Sequence, residues 1–231
     1  MKTTMLAVSL AGLLAPGLAR AHDMWIERGK GAFVLRYGHR GGESLAIDAA
    51  KVKSLKCIAG GGPAKDVLGA ASFSPKEVKA AAQCVAFSAV FYGGFFSLTP
   101  DGEKNLPKSQ VPDAVKAWES KQFAKWVDAR SPAAARIIGD ELEIVPVTDL
   151  SQAKQGDKAT YRVLVKGKPV SGAIAAIDHK PLGETDSAGE VRLRIRSASL
   201  EVVSATLRRR VSSPDADAQV FEASLSFEVA K

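Results

Sequence analysis

Three histidines are all that 231 residues contain, and two of them, His22 and His39, bracket the stretch "HDMWIERGKGAFVLRYGH". Two extended runs, "HDMWIERG" and "GAFVLRYGH", meet at Gly29-Lys30-Gly31, a hairpin signal. Opposed residues of an antiparallel pair centred near Lys30 have numbers summing to about 60 or 61. With a sum of 61 the two imidazoles become direct neighbours on one face, their Cβ atoms roughly 5 Å apart, close enough to share one metal ion. Met24, Ile26, Phe33, Leu35 and Tyr37 then form an apolar floor on that same face. A one-residue slip sends the histidines to opposite faces, and the sequence leaves both registers open.

The residues before His22 add a second nitrogen. "MKTTMLAVSLAGLLAPGLARA" carries Lys2, an apolar run from Met5 to Leu14, Pro16, and the A-x-A signature Ala19-Arg20-Ala21. It reads as a secretory leader over residues 1–21, too short in its apolar part to span a bilayer, with an uncleaved amphipathic anchor as the alternative. Cleavage after Ala21 would give His22 a free α-amine, which can yield its proton to a metal and chelate together with its own imidazole. Such nitrogen donors suit nickel, cobalt, copper or zinc rather than calcium or magnesium. Asp23, Glu27 and Glu43 are carboxylates within reach along the chain, able to ligate or to orient a ring. His179, in "AIDHKPLGETDSAGE", is by itself a turn histidine, and its joining the pair depends on packing. The plain alternative is that all three are ordinary polar residues of strands and turns.

Composition excludes several classes. The chain is 46% hydrophobic and 25% charged, with a formal charge of +7, ordinary for a globular protein of one or two domains. Loss of Lys2 and Arg20 with the leader reduces the excess to about +5. The remaining basic residues are dispersed apart from Arg208-Arg209-Arg210, so a solvated surface is expected and no nucleic-acid partner. Export to the periplasm points the same way. Cys57 and Cys84 are the only cysteines; in an oxidising compartment they suit one disulfide, and a thiolate metal pair is the other option. No G-x-S-x-G elbow is present and few histidines are free to act as a base, so catalysis is not expected.

The elements that must position the histidines read as mainly β. "KVKSLKCIA" is strand-like, and "QCVAFSAVFYGGFFSLTP" reads as two strands bent at Gly93-Gly94. A short helical insertion is expected over about 107–138, from Val115, Trp118, Phe123 and Trp126 at helical spacing between Pro107, Pro112 and Pro132. "GDELEIVPV" returns to strand. Beyond Thr148 come further short strands with turns at Gly167-Lys168 and within "ETDSAGEV", and a last hairpin from "LEVVSATLRRR" to "QVFEASLSFEV". The expected architecture is two immunoglobulin-like β-sandwich-type domains, 22–147 with the metal-binding residues and 148–231.

In order along the chain, "AHDMWIE", "YGH", "SLTPDGEKNLPKSQVPDAVKAWESKQFAK", "LEIVPVTDL", "GKPVSGA" and "TDSAGEVRL" resemble the DUF4198 family, the NikM-like periplasmic components of nickel and cobalt uptake systems. The resemblance implies a periplasmic protein that binds nickel or cobalt and hands it to a membrane-embedded transporter. It places His22 and His39 on the family's histidine positions. Family members often carry a further histidine near the carboxy terminus; "SASLEVVSATLRRR" has none, which leaves His179 as its stand-in or as incidental. Two other readings remain. One is a copper chaperone or oxidative protein, favoured by the affinity order and by Met24. The other is an adhesion module without metal, for which 6% aromatic content offers little sugar stacking.

Overall fold

Runs of three buried side chains, Met24–Ile26 and Phe33–Leu35, begin the computed structural model, which describes residues 22–230; the expected leader lies outside the described residues. Strands β1 (Asp23–Arg28) and β2 (Phe33–Gly38) form the first hairpin. Asp23 pairs with Gly38, Met24 with Tyr37 and Arg28 with Phe33. These numbers sum to 61, the register that makes His22 and His39 neighbours. Strands β3 (Val52–Ile58), β4 (Lys65–Asp66), β5 (Ala71–Ser74) and β6 (Glu77–Ala80) follow. The sheet order β1-β2-β6-β5 gives the first four-stranded layer.

Next come β7 (Ala86–Thr99), β8 (Gly102–Lys104) and β9 (Lys116–Val127). Two expectations fail here. The helical insertion over about 107–138 is absent: apart from two 3₁₀ turns, Lys108–Gln110 and Pro132–Ala135, its regular structure is β9. The strand is covered on both faces, so Phe123 and Val127 enter one core while Ala124 and Trp126 enter another. Burial on two sides erases the polar–apolar alternation by which a strand is recognised. Nor is the Gly93-Gly94 stretch a bend between two strands. β7 runs through it with a bulge, for which Gly94 supplies φ +94° and Gly93 leaves room for the Ser120 side chain, 3.0 Å from where a Cβ would stand.

The remaining strands are β10 (Leu142–Pro146), β11 (Lys158–Val165), β12 (Lys168–Pro169), β13 (Ile174–Ile177), β14 (Lys180–Glu184), β15 (Glu190–Arg194), β16 (Leu200–Arg210) and β17 (Ala218–Glu228). A nine-stranded central sheet runs β14-β13-β16-β17-β9-β7-β3-β4, with β8 on β7. One of its faces packs on the β1-β2-β6-β5 layer, the other on β10, β11, β12 and β15. The fold is therefore mainly β with two sandwich-type interfaces, and these share their middle sheet. β17 pairs in parallel with β9, Ala218 with Trp118 through Phe227 with Val127, which joins the carboxy-terminal strands to the amino-terminal half. β10 and β11 pair across residue 147.

Two covalent or ionic ties hold this core. Cys57 and Cys84 form a disulfide, as expected. Lys125 on β9, almost wholly buried, donates to Glu143 on β10 at 2.7 Å and to the Arg136 carbonyl at 2.7 Å. The Glu143 carboxylate also accepts from the backbone N–H groups of Ile138 and Gly139. The Lys125 nitrogen and both Glu143 oxygens thus each have a protein partner.

Candidate metal centre

Four polar side chains from three stretches of the sequence meet at one end of the first hairpin. His22 precedes β1 and is anchored through the backbone beside it. Gln122 Nε2 donates to the His22 carbonyl at 3.2 Å, and Ser224 Oγ on β17 donates to the Met24 carbonyl. His39 follows Gly38, where the chain doubles back so that the Leu45 N–H reaches the Tyr37 carbonyl at 2.8 Å. Gly38 has φ +132°, and a Cβ there would lie 2.5 Å from the Glu43 carbonyl, so glycine is required for this approach. The His22 and His39 rings are 5.0 Å apart, with Tyr37 edge-on to His22.

His179 arrives from the other end of the sequence. Ile177 and Lys180 pair in the β13–β14 hairpin, leaving Asp178 and His179 as a two-residue turn with φ 50° and 60°. Positive φ at both positions is the type I′ requirement, which matches the twist of the flanking strands. The turn tip carries His179 Nε2 to 3.0 Å from His39 Nδ1 and 3.3 Å from Asp23 Oδ2. Arg40 steadies the junction, donating to the Leu200 carbonyl at 3.1 Å and lying 3.9 Å from the Asp178 carboxylate.

Of the sequence-predicted residues, His22, Asp23, His39 and His179 therefore come together. Glu43 does not join them: its exposed carboxylate lies 3.4 Å from Lys76. Glu27 likewise serves the hairpin, accepting from Trp25 and Arg36. Two participants escaped the sequence reading. Glu222 on β17 accepts from Gln122 Nε2 at 2.7 Å, and Gln122 lies within the stretch read as helix. The signal for Glu222 was its alternation with Ser224 and Ser226 on a strand whose other face is Phe221, Ala223, Leu225 and Phe227. Two buried serines beside a glutamate mark an interior polar face rather than a solvated one.

Burial is the largest influence on the titration of this cluster. Burial pushes the Asp23 carboxyl up to about 6, with the Asp178 charge adding to the rise and the charges of His39 and Arg40 opposing it. Burial likewise raises Glu222, against the hydrogen bond from Gln122. His22 is held below its ordinary value by burial and by the neighbouring imidazoles, which keeps a ring lone pair available. Donor atoms about 2.0–2.1 Å from a tetrahedral ion are about 3.3 Å from one another. The two separations at His179 Nε2 fall near that edge length. As they stand, these atoms form a hydrogen-bonded chain rather than a closed cradle, and among the described residues no three His, Cys, Asp or Glu side chains are poised to hold an ion. The proton shared by His39 and His179 occupies a place that a cation could take.

Residues 19–209 match the family model described as a domain of unknown function, DUF4198. The chain belongs to the DUF4198 family. The part of this DUF4198 protein that matches includes His22, Asp23, His39 and His179, and stops short of Glu222. No curated protein matches it. Among solved structures, a crystal structure of the N-terminal four immunoglobulin domains of Dscam1 isoform 1.9 is similar over 77% of this chain at 10% identity, with a TM-score of 0.27. The chain spans 37% of that one, and a likeness at this level bears on nothing further.

Proposed function

We propose that this DUF4198 protein binds a divalent transition metal, nickel or cobalt, in the periplasm and passes it to a membrane-embedded transporter. The observation that carries the reading is the contact chain His39 Nδ1–His179 Nε2–Asp23 Oδ2, closed by residues that are 156 positions apart at the extremes. His22, His39 and His179 would hold the ion through ring nitrogens, Asp23 through a carboxylate oxygen, and His22 also through its α-amine once the leader is removed. Binding then displaces the proton between His39 and His179, so affinity falls with pH as protons compete for the nitrogens. A nitrogen-dominated set with one carboxylate suits nickel, cobalt, copper or zinc. The resemblance to nickel and cobalt uptake components chooses the first two. Met24, whose sulfur would favour copper(I), is almost wholly buried in the core with Ile26 and Leu35.

Calorimetric titration of nickel, cobalt, copper and zinc into the exported, chelator-treated protein tests this. One ion per chain is expected, with His39→Ala and His179→Ala each weakening binding by at least about 100-fold, since loss of even an outer-shell partner of a metal ligand costs about 10–100-fold. Undiminished stoichiometric binding in both variants would sink the site. A preference for copper over nickel under matched conditions would transfer the protein to copper handling.

A further inference from the structure

The face of the central sheet that meets the first layer is covered only in part. Ala124 and Trp126 of β9 pack into the core shared with that layer. Side chains alternate along a strand, so Gln122, Ser120 and Trp118 point to the same face. Trp118 lies about 13 Å beyond Gln122, at about 3.3 Å per residue, and outside that core. There it stacks on Phe96, its cross-strand partner on β7, with ring centroids 5.7 Å apart and both rings half-buried. Leu98, farther out on β7, is 39% exposed, and Val115, whose N–H donates to the Leu98 carbonyl, is 69% exposed. Leu106, whose carbonyl accepts from Ser97, is exposed as well. Three of the eight large apolar side chains exposed among the described residues thus gather at one end of the sheet. Scattered single ones would need no explanation; a group does.

Bases surround this group. Lys116 pairs with Leu98, Arg210 with Ala218 beside Trp118, and Arg208 with Val220, so the register sets all three on the face of Trp118. All three are exposed. β13 pairs with β16 only at Ser204, Ala205 and Thr206, which leaves Arg208 and Arg210 at an open edge. The nearby carboxylates are engaged by other lysines, Asp113 by Lys104 and Asp217 by Lys108. Glu103, opposite Leu98, is the acidic side chain that the register adds to this end, against three bases.

We propose that this end of the central sheet docks on an anionic phospholipid surface. Leu98 and Val115, at the strand ends, enter the boundary of the acyl chains, and Phe96 and Trp118 behind them lie at the level of the headgroups. Lys116, Arg208 and Arg210 meet the lipid phosphates. Docking needs no metal and goes beyond the metal reading. β9 links the two, since the strand that anchors His22 through Gln122 also carries Trp118.

The chain supplies its own reporter. Of its three tryptophans, Trp25 and Trp126 are buried, so a change of emission on docking comes from Trp118. The probes are vesicles of phosphatidylglycerol and phosphatidylcholine in equal parts, and vesicles of phosphatidylcholine alone, added to the exported, chelator-treated protein. The mixed vesicles should shift the emission to shorter wavelength, and brominated lipid should quench it. A basic side chain near such a surface contributes about fivefold in binding. Phosphatidylcholine alone should therefore bind at least about tenfold more weakly, and the double variant R208Q/R210Q should lose at least about tenfold on the mixed vesicles with an unchanged thermal melt. His179→Ala should leave vesicle binding within about threefold, so that failure of the metal reading and failure of this one are told apart. No binding to either vesicle, equal binding to both, undiminished binding in R208Q/R210Q, or binding without a change at Trp118 would each overturn the proposal. So would a Trp118 shift produced by polyglutamate and not by the mixed vesicles, which would assign the surface to an acidic polypeptide.

Discussion

Two polar clusters in this molecule use similar chemistry to opposite ends. At Lys125 and Glu143 a cation and a carboxylate are buried together, and the ammonium nitrogen and both carboxylate oxygens each have a protein partner. At His22, Asp23, His39 and His179 the groups are partly open to solvent, a carboxyl is pushed up to about 6 by burial, and the nearby Gln122 oxygen has no partner. The first cluster is complete without a ligand, and its role is to hold the loop 136–139 against β9 and β10. The second has unmet capacity, which is what a binding site needs before its ligand arrives. Burial alone does not separate architecture from function here; satisfaction does.

The contrast can be broken most directly at the closed pair. Glu143→Ala leaves the Lys125 ammonium buried without its counter-ion and should destabilise the protein by about 3–5 kcal/mol in denaturant titration. The corresponding change in the open cluster, His179→Ala, should alter stability by less than about 1 kcal/mol while reducing nickel affinity by at least about 100-fold. If the two variants lose equal stability, the distinction between a closed and an open cluster is wrong. A milder probe extends the exported chain by one glycine ahead of His22. With the α-amine moved off that residue, calorimetry should show nickel affinity lowered by about tenfold, the loss of one chelating nitrogen with the imidazoles kept.

The smallest effect expected concerns a third carboxylate. Glu201 accepts from the N–H groups of Arg196 and Ser197, yet its Oε1 is buried without a partner and burial raises its pKa. A carboxyl whose folded pKa lies above its unfolded one binds protons more strongly in the native state, so its contribution to stability declines as pH rises through that interval. The interval begins at the ordinary value of 4.5. Denaturant titrations from pH 4 to pH 7 should show this decline in the parent protein, and a flatter profile in Glu201→Gln. Parallel profiles would place Glu201 with the fully satisfied groups.

The parts of the site that were legible in the sequence are those set by local rules. The first hairpin has a glycine-flanked turn between two extended apolar runs, so the register that joins His22 to His39 was one of two options. His179 could not be placed from sequence, because its approach depends on β13 pairing with β16 and on β17 lying between β16 and β9. β9 was misread for a related reason. Lys125 and Gln122 look solvent-facing, but each is neutralised or hydrogen-bonded by a residue on another strand, Glu143 and Glu222. Long-range partners can turn an apparently helical pattern into a central strand. Glu43 shows the converse, since nearness along the chain did not bring its carboxylate to the imidazoles.

The two-residue turn at Asp178-His179 has one more consequence. Both backbones occupy the left-handed region, where Asn-Gly is the preferred pair and an imidazole-bearing residue costs roughly 1 kcal/mol relative to glycine. Replacing the pair by Asn-Gly should therefore make the hairpin more robust while removing a donor from the cluster. The turn thereby acts as an evolutionary gauge. In lineages that still use the site it should stay awkward, and where the site falls idle drift should carry it toward the easier pair.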